Sequence, residues 1–284
     1  MKLKKRLNDQ SPISARRRDD APNVQARGIE IMRASDMKPK RSVGLWDGRF
    51  YRGKLSFIAG EPGLGKSQIV AYIAAKVSTG GDWPFDEGAT RRGDVIYITA
   101  EDGAADTIRP RLEAAGANLD RVHIIERVND EFGPRPFNLV VDLVRLDKCL
   151  QAIRKPRLVI VDPINACLNS TDARPFNPNS VPHVRALLCR LEALAAKHRV
   201  AIICVTHFTK AKGEALSRVT GSFAFVAAAR SVFTVTRKQD DADQRILAPT
   251  KNNLAAGGNV LAFRIEQRLT SRQILAPYVN FVSQ

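Results

Sequence analysis

The chain has 284 residues, 44% hydrophobic and 26% charged, an ordinary globular balance that excludes wholesale disorder and collagen-like repeats. Its 45 Lys and Arg against 29 Asp and Glu leave a net charge of +16, which favours a polyanionic partner and says nothing about fold. No apolar run approaches the roughly 20 residues that cross a bilayer, and none follows the basic stretch Met1–Arg6, so neither a spanning helix nor a secretory signal is expected.

Residues 1–41 hold 12 basic and 5 acidic side chains and three prolines, Pro12, Pro22 and Pro39, without sustained periodicity. We read them as a basic, largely unstructured arm, either a solvated tail or one that gathers nucleic acid by displacing counterions. Residues 42–284 alternate short β-rich runs with helical patterns, the mark of βαβ units and a mostly parallel sheet flanked by helices. The four cysteines, Cys149, Cys167, Cys189 and Cys204, form no C-x-x-C pair; three of them sit inside apolar or helical patterns, which reads as reduced, buried thiols of a cytoplasmic protein, without a structural zinc site.

In chain order, Lys54–Ala59 is the first predicted strand. Ile69, Ile73 and Val77 then mark a helix over 67–79 that stops at Gly80–Gly81. A strand over Asp94–Ala100 precedes a helical piece around 107–115, with Pro110 in its first turn. Val122–Ile125 is a third strand. Leu143, Leu146, Leu150 and Ile153 share a helical face for which Asp142 is available as the cap. Leu158–Val161 and Val200–Val205 are wholly apolar, as central strands covered on both faces must be. Between them lie an exposed loop over 169–183 and a helix marked by Val184, Leu187, Leu191 and Leu194. A small-residue helix over 221–230 leads to strands at 231–236, 245–250 and 260–265, which form antiparallel hairpins along one edge.

Residues 60–67 read Gly60-Glu61-Pro62-Gly63-Leu64-Gly65-Lys66-Ser67, the full G-x-x-x-x-G-K-[ST] pattern, set between a predicted strand and a helix. Glycines let successive backbone N–H groups turn towards phosphate oxygens, and the helix after them presents its positive end. With Gln68 these residues form the expected ATP site. Lys66 reaches the β- and γ-phosphates, and the Ser67 hydroxyl is a ligand for Mg²⁺.

Phosphate transfer to water also needs metal positioning and an activated nucleophile. Asp162 directly follows an apolar strand, the place for a second Mg²⁺-holding group. Glu101 ends the second strand and suits a general base. Asp102 reads as a cap for the helix that follows. Thr206-His207 ends the 200–205 strand, where His207 is positioned to sense the γ-phosphate.

Together these elements resemble the RecA-like P-loop ATPases, and more closely the AAA_25 group, which is similar to plasmid RepA-type hexameric replicative helicases. The match is carried by GEPGLGKS (60–67), ITAEDGAADTIRPRLEAAGANLDRVHII (98–125), RLVIVDPINACL (157–168), THFTK (206–210), RVTGSFAFVAAARSVF (218–233) and PTKNNLA (249–255). The resemblance implies a ring in which each nucleotide lies between subunits and takes a basic finger from the neighbour. Arg230 is the first candidate for that finger and Lys251 the second, because Asn253 stands where replicative helicases often carry Arg. It also implies DNA helicase activity in replication, single-stranded DNA against the loops 169–182 and 208–222, and partners such as a primase.

Overall fold

The computed structural model describes residues 32–171, 175–207, 225, 229–253 and 259–283. The chain divides into two units, Met1–Arg41 and Ser42–Gln284. In the first, the described residues hold one 3-10 turn, Ala34–Asp36, and residues 1–31 lie outside the described set.

The second unit opens on a two-stranded antiparallel hairpin, β1 (Gly44–Trp46) and β2 (Phe50–Tyr51). Strand β3 (Leu55–Gly60) is buried throughout and delivers the chain to helix α1 (Lys66–Thr79). That helix ends on Gly80 in the left-handed region, at the predicted stop. Strand β4 (Asp94–Thr99) is followed by a π-turn, Ala104–Ile108, that runs into α2 (Arg109–Ala114) with Pro110 in its opening turn. Next come β5 (Val122–Ile125) and the hairpin β6 (Arg127–Asp130) with β7 (Gly133–Pro136).

Helix α3 (Leu139–Ala152) begins three residues before the predicted cap. Asn138 caps it, its side chain accepting the Val140 N–H at 3.0 Å. Asp142 instead lies buried inside the first turn. Its carboxylate accepts from Arg135 at 2.6 and 2.9 Å, from Arg145 at 3.0 Å and from the Asn138 N–H. Burial opposes ionisation of that carboxyl, but the Arg135 bonds, the Asn138 N–H and the two guanidinium charges outweigh it and hold the pKa below its ordinary range.

Strand β8 (Pro156–Asp162), helix α4 (Val181–His198) and strand β9 (Ala201–His207) complete the parallel core. The loop expected over 169–183 ends at Ser180, because Pro182 sits in the first turn of α4. The small-residue helix over 221–230 falls largely outside the described residues. Strands β10 (Ser231–Lys238), β11 (Asp241–Asn252), β12 (Leu261–Leu269) and β13 (Leu275–Val282) close the chain.

Nine strands form one sheet in the order β13-β12-β11-β10-β3-β9-β8-β4-β5. From β10 to β5 neighbouring strands are parallel, and from β10 to β13 they are antiparallel. The predicted parallel core and hairpin edge are therefore both present. One apolar layer packs α3 and α4 on the sheet; the other packs α1 and α2. In the second layer Trp46 stacks on Trp83 with ring centroids 4.3 Å apart. Glu87 bonds the Trp46 indole at 2.6 Å and the fully buried Arg49 Nε at 2.8 Å, and Arg49 reaches the Asn259 carbonyl at 2.8 Å. Those bonds fasten the opening hairpin to the chain beside β12, and they satisfy a buried cation that would otherwise be strongly destabilising.

All four cysteines are free, but only Cys167 and Cys204 are buried. Cys149 and Cys189 lie on solvent-facing sides of α3 and α4, which corrects the expectation of buried thiols. Among the described residues, no helix is long and apolar enough to cross a membrane, and no cluster of His, Cys, Asp or Glu has metal-holding geometry.

Candidate nucleotide site

The parallel strands end together at one edge of the sheet, and their register determines which side chains meet there. Gly60 on β3 pairs with His207 on β9, and Thr99 on β4 pairs with Asp162 on β8. The loop that leaves β3 turns through Gly63 (φ 76°) and Gly65 (φ 88°), conformations that side-chain-bearing residues rarely adopt. Gly65 has a second constraint. A Cβ on it would lie 2.6 Å from Cδ1 of Ile265, which β12 brings over the loop.

Lys66 opens α1 and is almost completely buried. Its ammonium donates to the Glu61 carbonyl at 2.7 Å, folding the loop back on itself. Burial lowers its pKa to about 8, with Asp162 and Glu61 opposing the shift. Ser67 hydrogen-bonds the Asp162 carboxylate. Asp162 is 5% exposed and also accepts the Tyr97 phenol at 2.6 Å. Burial raises its pKa, and the bonds from Tyr97 and Ser67 oppose that. A hydroxyl and a carboxylate in direct contact form a hard oxygen donor set that fits Mg²⁺, which keeps most of its waters and takes few protein ligands.

A cavity of about 200 Å³ is lined by Gly63, Gly65, Lys66, Ser67, Gln68, Asp102, Arg111, His207 and Ile265. His207 is half-buried there; its own burial, then the Lys66 charge, lower its proton affinity, so it is a neutral imidazole at neutral pH. Next to it in chain order, the Thr206 hydroxyl donates to the Asn165 side chain at 3.0 Å.

Glu101 lies in the loop after β4 and is exposed. It lines an adjoining cavity of about 360 Å³, with Glu126, Arg127 and Arg135 across from it, rather than the P-loop cavity itself. Asp102 lines both. It is not a helix cap: Gly103 holds that position without a side-chain bond, and Asp102 pairs with Arg111 at 2.6 Å. The sequence reading missed Tyr97, Arg111 and Ile265. Tyr97 and Arg111 carry a signal in retrospect, since a polar tip inside a buried strand and a cation one turn into the following helix both need partners. Ile265 carries none, because the approach of β12 is a tertiary event.

Arg230 does not join this group. Its backbone N–H donates to the Leu55 carbonyl, at the start of β3, whereas the P-loop leaves the end of that strand. Six residues of strand separate the two edges by about 16 Å. The Arg230 side chain pairs with Glu192 at 3.1 Å and is 47% exposed. Lys251 is close enough for the Arg230 charge to add to burial in lowering its pKa. The loop 208–222, including Phe208, lies outside the described residues.

A P-loop strand flanked by a strand that ends on His207, with the Asp162-bearing strand beyond it, is the arrangement of a RecA-like P-loop ATPase. The chain belongs to the AAA_25 family (AAA domain), whose model matches residues 21–213. It is similar to the DNA repair protein RadA of Brucella abortus (strain 2308), 27% identical over 192 residues, covering 68% of this chain and 34% of that protein. RadA of Aquifex aeolicus (strain VF5) is 22% identical over 241 residues, covering 84% of this chain and 45% of its own. The chain thus spans between a third and a half of the length of these relatives. Among solved structures, the ATPase domain of another protein shares the fold with a TM-score of 0.55 and 12% identity, over 80% of this chain and 85% of that one.

Proposed function

We propose that the protein is a MgATP-hydrolysing motor that assembles into a hexameric ring on single-stranded DNA. In this reading it acts in the cytoplasm as a helicase or helicase-like replication protein of a plasmid, phage or integrated element, beside partners such as a primase. The observation that carries the reading is the convergence of Lys66, Ser67, Asp162 and His207 on one edge, with Arg230 at the other.

Backbone N–H groups of 60–67 and the start of α1 cradle the phosphates, with Gln68 at the rim. Lys66, released from the Glu61 carbonyl, donates to the β- and γ-phosphates and offsets their charge. Ser67 and Asp162 hold Mg²⁺, which supplies electrostatic stabilisation of the phosphate oxygens. The Glu101 carboxylate accepts a proton from the attacking water, and neutral His207 donates a hydrogen bond towards the γ-phosphate. Arg230 is too far from its own P-loop to act there, so it serves a neighbouring copy. A finger supplied in trans is worth about 10³–10⁵ in rate and makes turnover depend on assembly. ATP turnover with and without single-stranded DNA, run beside a native mass determination, tests the proposal.

A second reading, an ATP-dependent switch or loader that separates no strands, is favoured by the position of Glu101 outside the P-loop cavity of the isolated chain. Displacement of a labelled strand from a forked duplex separates the two readings. ATPase stimulated by single-stranded DNA without displacement supports the switch.

A further inference from the structure

The edge of the sheet opposite the P-loop carries a row of cations that the ATPase chemistry does not use. Arg52 precedes β3, Arg199 precedes β9, Lys155 and Arg157 lie at the start of β8, and Arg91 and Arg92 precede β4. These four strands are consecutive neighbours in the sheet, and their registers (Leu55 with Ile202, Leu158 with Ala201, Val95 with Leu158) keep their first residues nearly level. The row therefore runs across three strand spacings, about 14 Å.

Contacts within the row are made to backbone. The Arg52 Nε donates to the Arg199 carbonyl at 2.7 Å, and the Arg157 Nε to the Arg92 carbonyl at 3.2 Å. Among the described residues, none of Arg52, Arg91, Arg157 and Arg199 is in an ion pair with a carboxylate. Burial, then the charges of Arg157, Arg199 and Arg91, pull the Arg52 pKa down, and burial followed by Arg91 does the same at Arg157. Like charges are thus held together without an ion pair of their own among the described residues; Asp94, at the start of β4, pairs with Arg121 and His123 instead.

Arg199 adds a second, independent observation. It ends α4 in the left-handed region at φ 52°, where glycine is the unstrained residue. A cation occupies a backbone position that disfavours it.

We propose that this row is a docking face for the phosphodiester backbone of a nucleic acid, on the sheet edge opposite the ATP site. Guanidinium forks match phosphate oxygens two at a time, and ammonium groups add point charge. An acidic peptide strand would present a carboxylate to one face only about every 6.6 Å, whereas duplex DNA carries one charge per about 1.7 Å of axis. The row offers no stacking surface of its own, so contact is to backbone and independent of base sequence.

The test uses the full chain without nucleotide, so it stands whichever way the ATPase assays fall. Fluorescence anisotropy is read on a labelled duplex of about 20 base pairs and on the single strand of the same length, across a salt series, with polyglutamate as competitor. The double variant Arg91→Gln/Arg199→Gly should bind at least about tenfold more weakly at about 0.1 M salt, with the salt slope reduced by about 2. Arg199→Gly relieves left-handed strain, so the melting temperature should not fall, and the exposed Arg91→Gln alone should give a smaller loss in the same direction. Tighter binding of the duplex or of the strand identifies which form docks. Four results would overturn the proposal: no nucleic-acid binding by the native chain, an unchanged affinity and slope in the variants, polyglutamate competing as well as DNA, or a drop in native mass that makes the row a subunit contact.

Discussion

The Tyr97 phenol donates to the Asp162 carboxylate across 2.6 Å, linking two neighbouring strands of the parallel core where both end at the P-loop. That carboxylate is buried, so each bond it accepts favours the ionised form a metal needs. Tyr97→Phe removes a bond to a charged group, worth about 1.5–3 kcal/mol. The Asp162 pKa should rise further, and the Mg²⁺ concentration for half-maximal ATPase should increase several-fold. A Mg²⁺ titration of turnover checks this.

Lys66 has a free-protein pKa of about 8, whereas a bound triphosphate stabilises its charged form. Below about pH 8 the ammonium is already present. Above it, binding must take up a proton, so ATP affinity should fall by about tenfold per pH unit between roughly 8 and 10. Calorimetry at about pH 9 in two buffers of different ionisation enthalpy should register proton uptake, and Lys66→Met should abolish it. The stability sign is the opposite one. The folded chain holds Lys66 less protonated than the unfolded chain, so this residue adds stability as pH rises from about 8 to its ordinary range near about 10.4.

Gly65 combines a positive φ with a wall of Ile265. Gly65→Ala should therefore destabilise by about 2–4 kcal/mol, from backbone strain and overpacking together. Adding Ile265→Val should recover the packing share and leave the strain. Denaturant unfolding of the single and double variants measures both shares.

Much of the fold was legible in the sequence because its strongest signals are one-dimensional. The apolar runs of β8 and β9 and the four-residue spacing along α1 need no tertiary knowledge. Strands β1 and β2, of three and two residues, are too short to show a period, and β7, the partner of β6, carries Pro134 and Pro136, which count against strand. Asp142 reads as a cap because carboxylates near a helix start usually are one; instead it pairs with Arg145, its i,i+3 neighbour on α3, and with Arg135, which β7 brings to it. In the candidate site, Lys66 and Ser67 are legible from the G-x-x-x-x-G-K-[ST] pattern and Asp162 and His207 from strand ends, and the fold brings all four to one edge. The Asp102–Arg111 pair is not legible, since its partners lie nine residues apart across a π-turn.

Glu101 and Arg230 stand at opposite edges of the sheet, so the proposed base and finger belong to different copies of any working site. Glu101→Gln should retain ATP binding and lose about 10²–10⁴ in turnover. Arg230→Ala should bind ATP and turn over poorly. Mixing the two inactive proteins should restore part of the activity, because some interfaces then pair an intact Glu101 with an intact Arg230. Steady-state ATPase of the mixture against each variant alone reads this out, and no recovery would place the finger elsewhere, with Lys251 next to be tested.

The measurement closest to the centre of this account is an equilibrium titration of a fluorescent ATP analogue into the native chain and into Lys66→Ala, each with Mg²⁺ and with chelator. Saturable binding that requires Mg²⁺ and is lost in Lys66→Ala is the predicted result. Binding that is absent from the native chain, or indifferent to both Mg²⁺ and Lys66, would contradict the account.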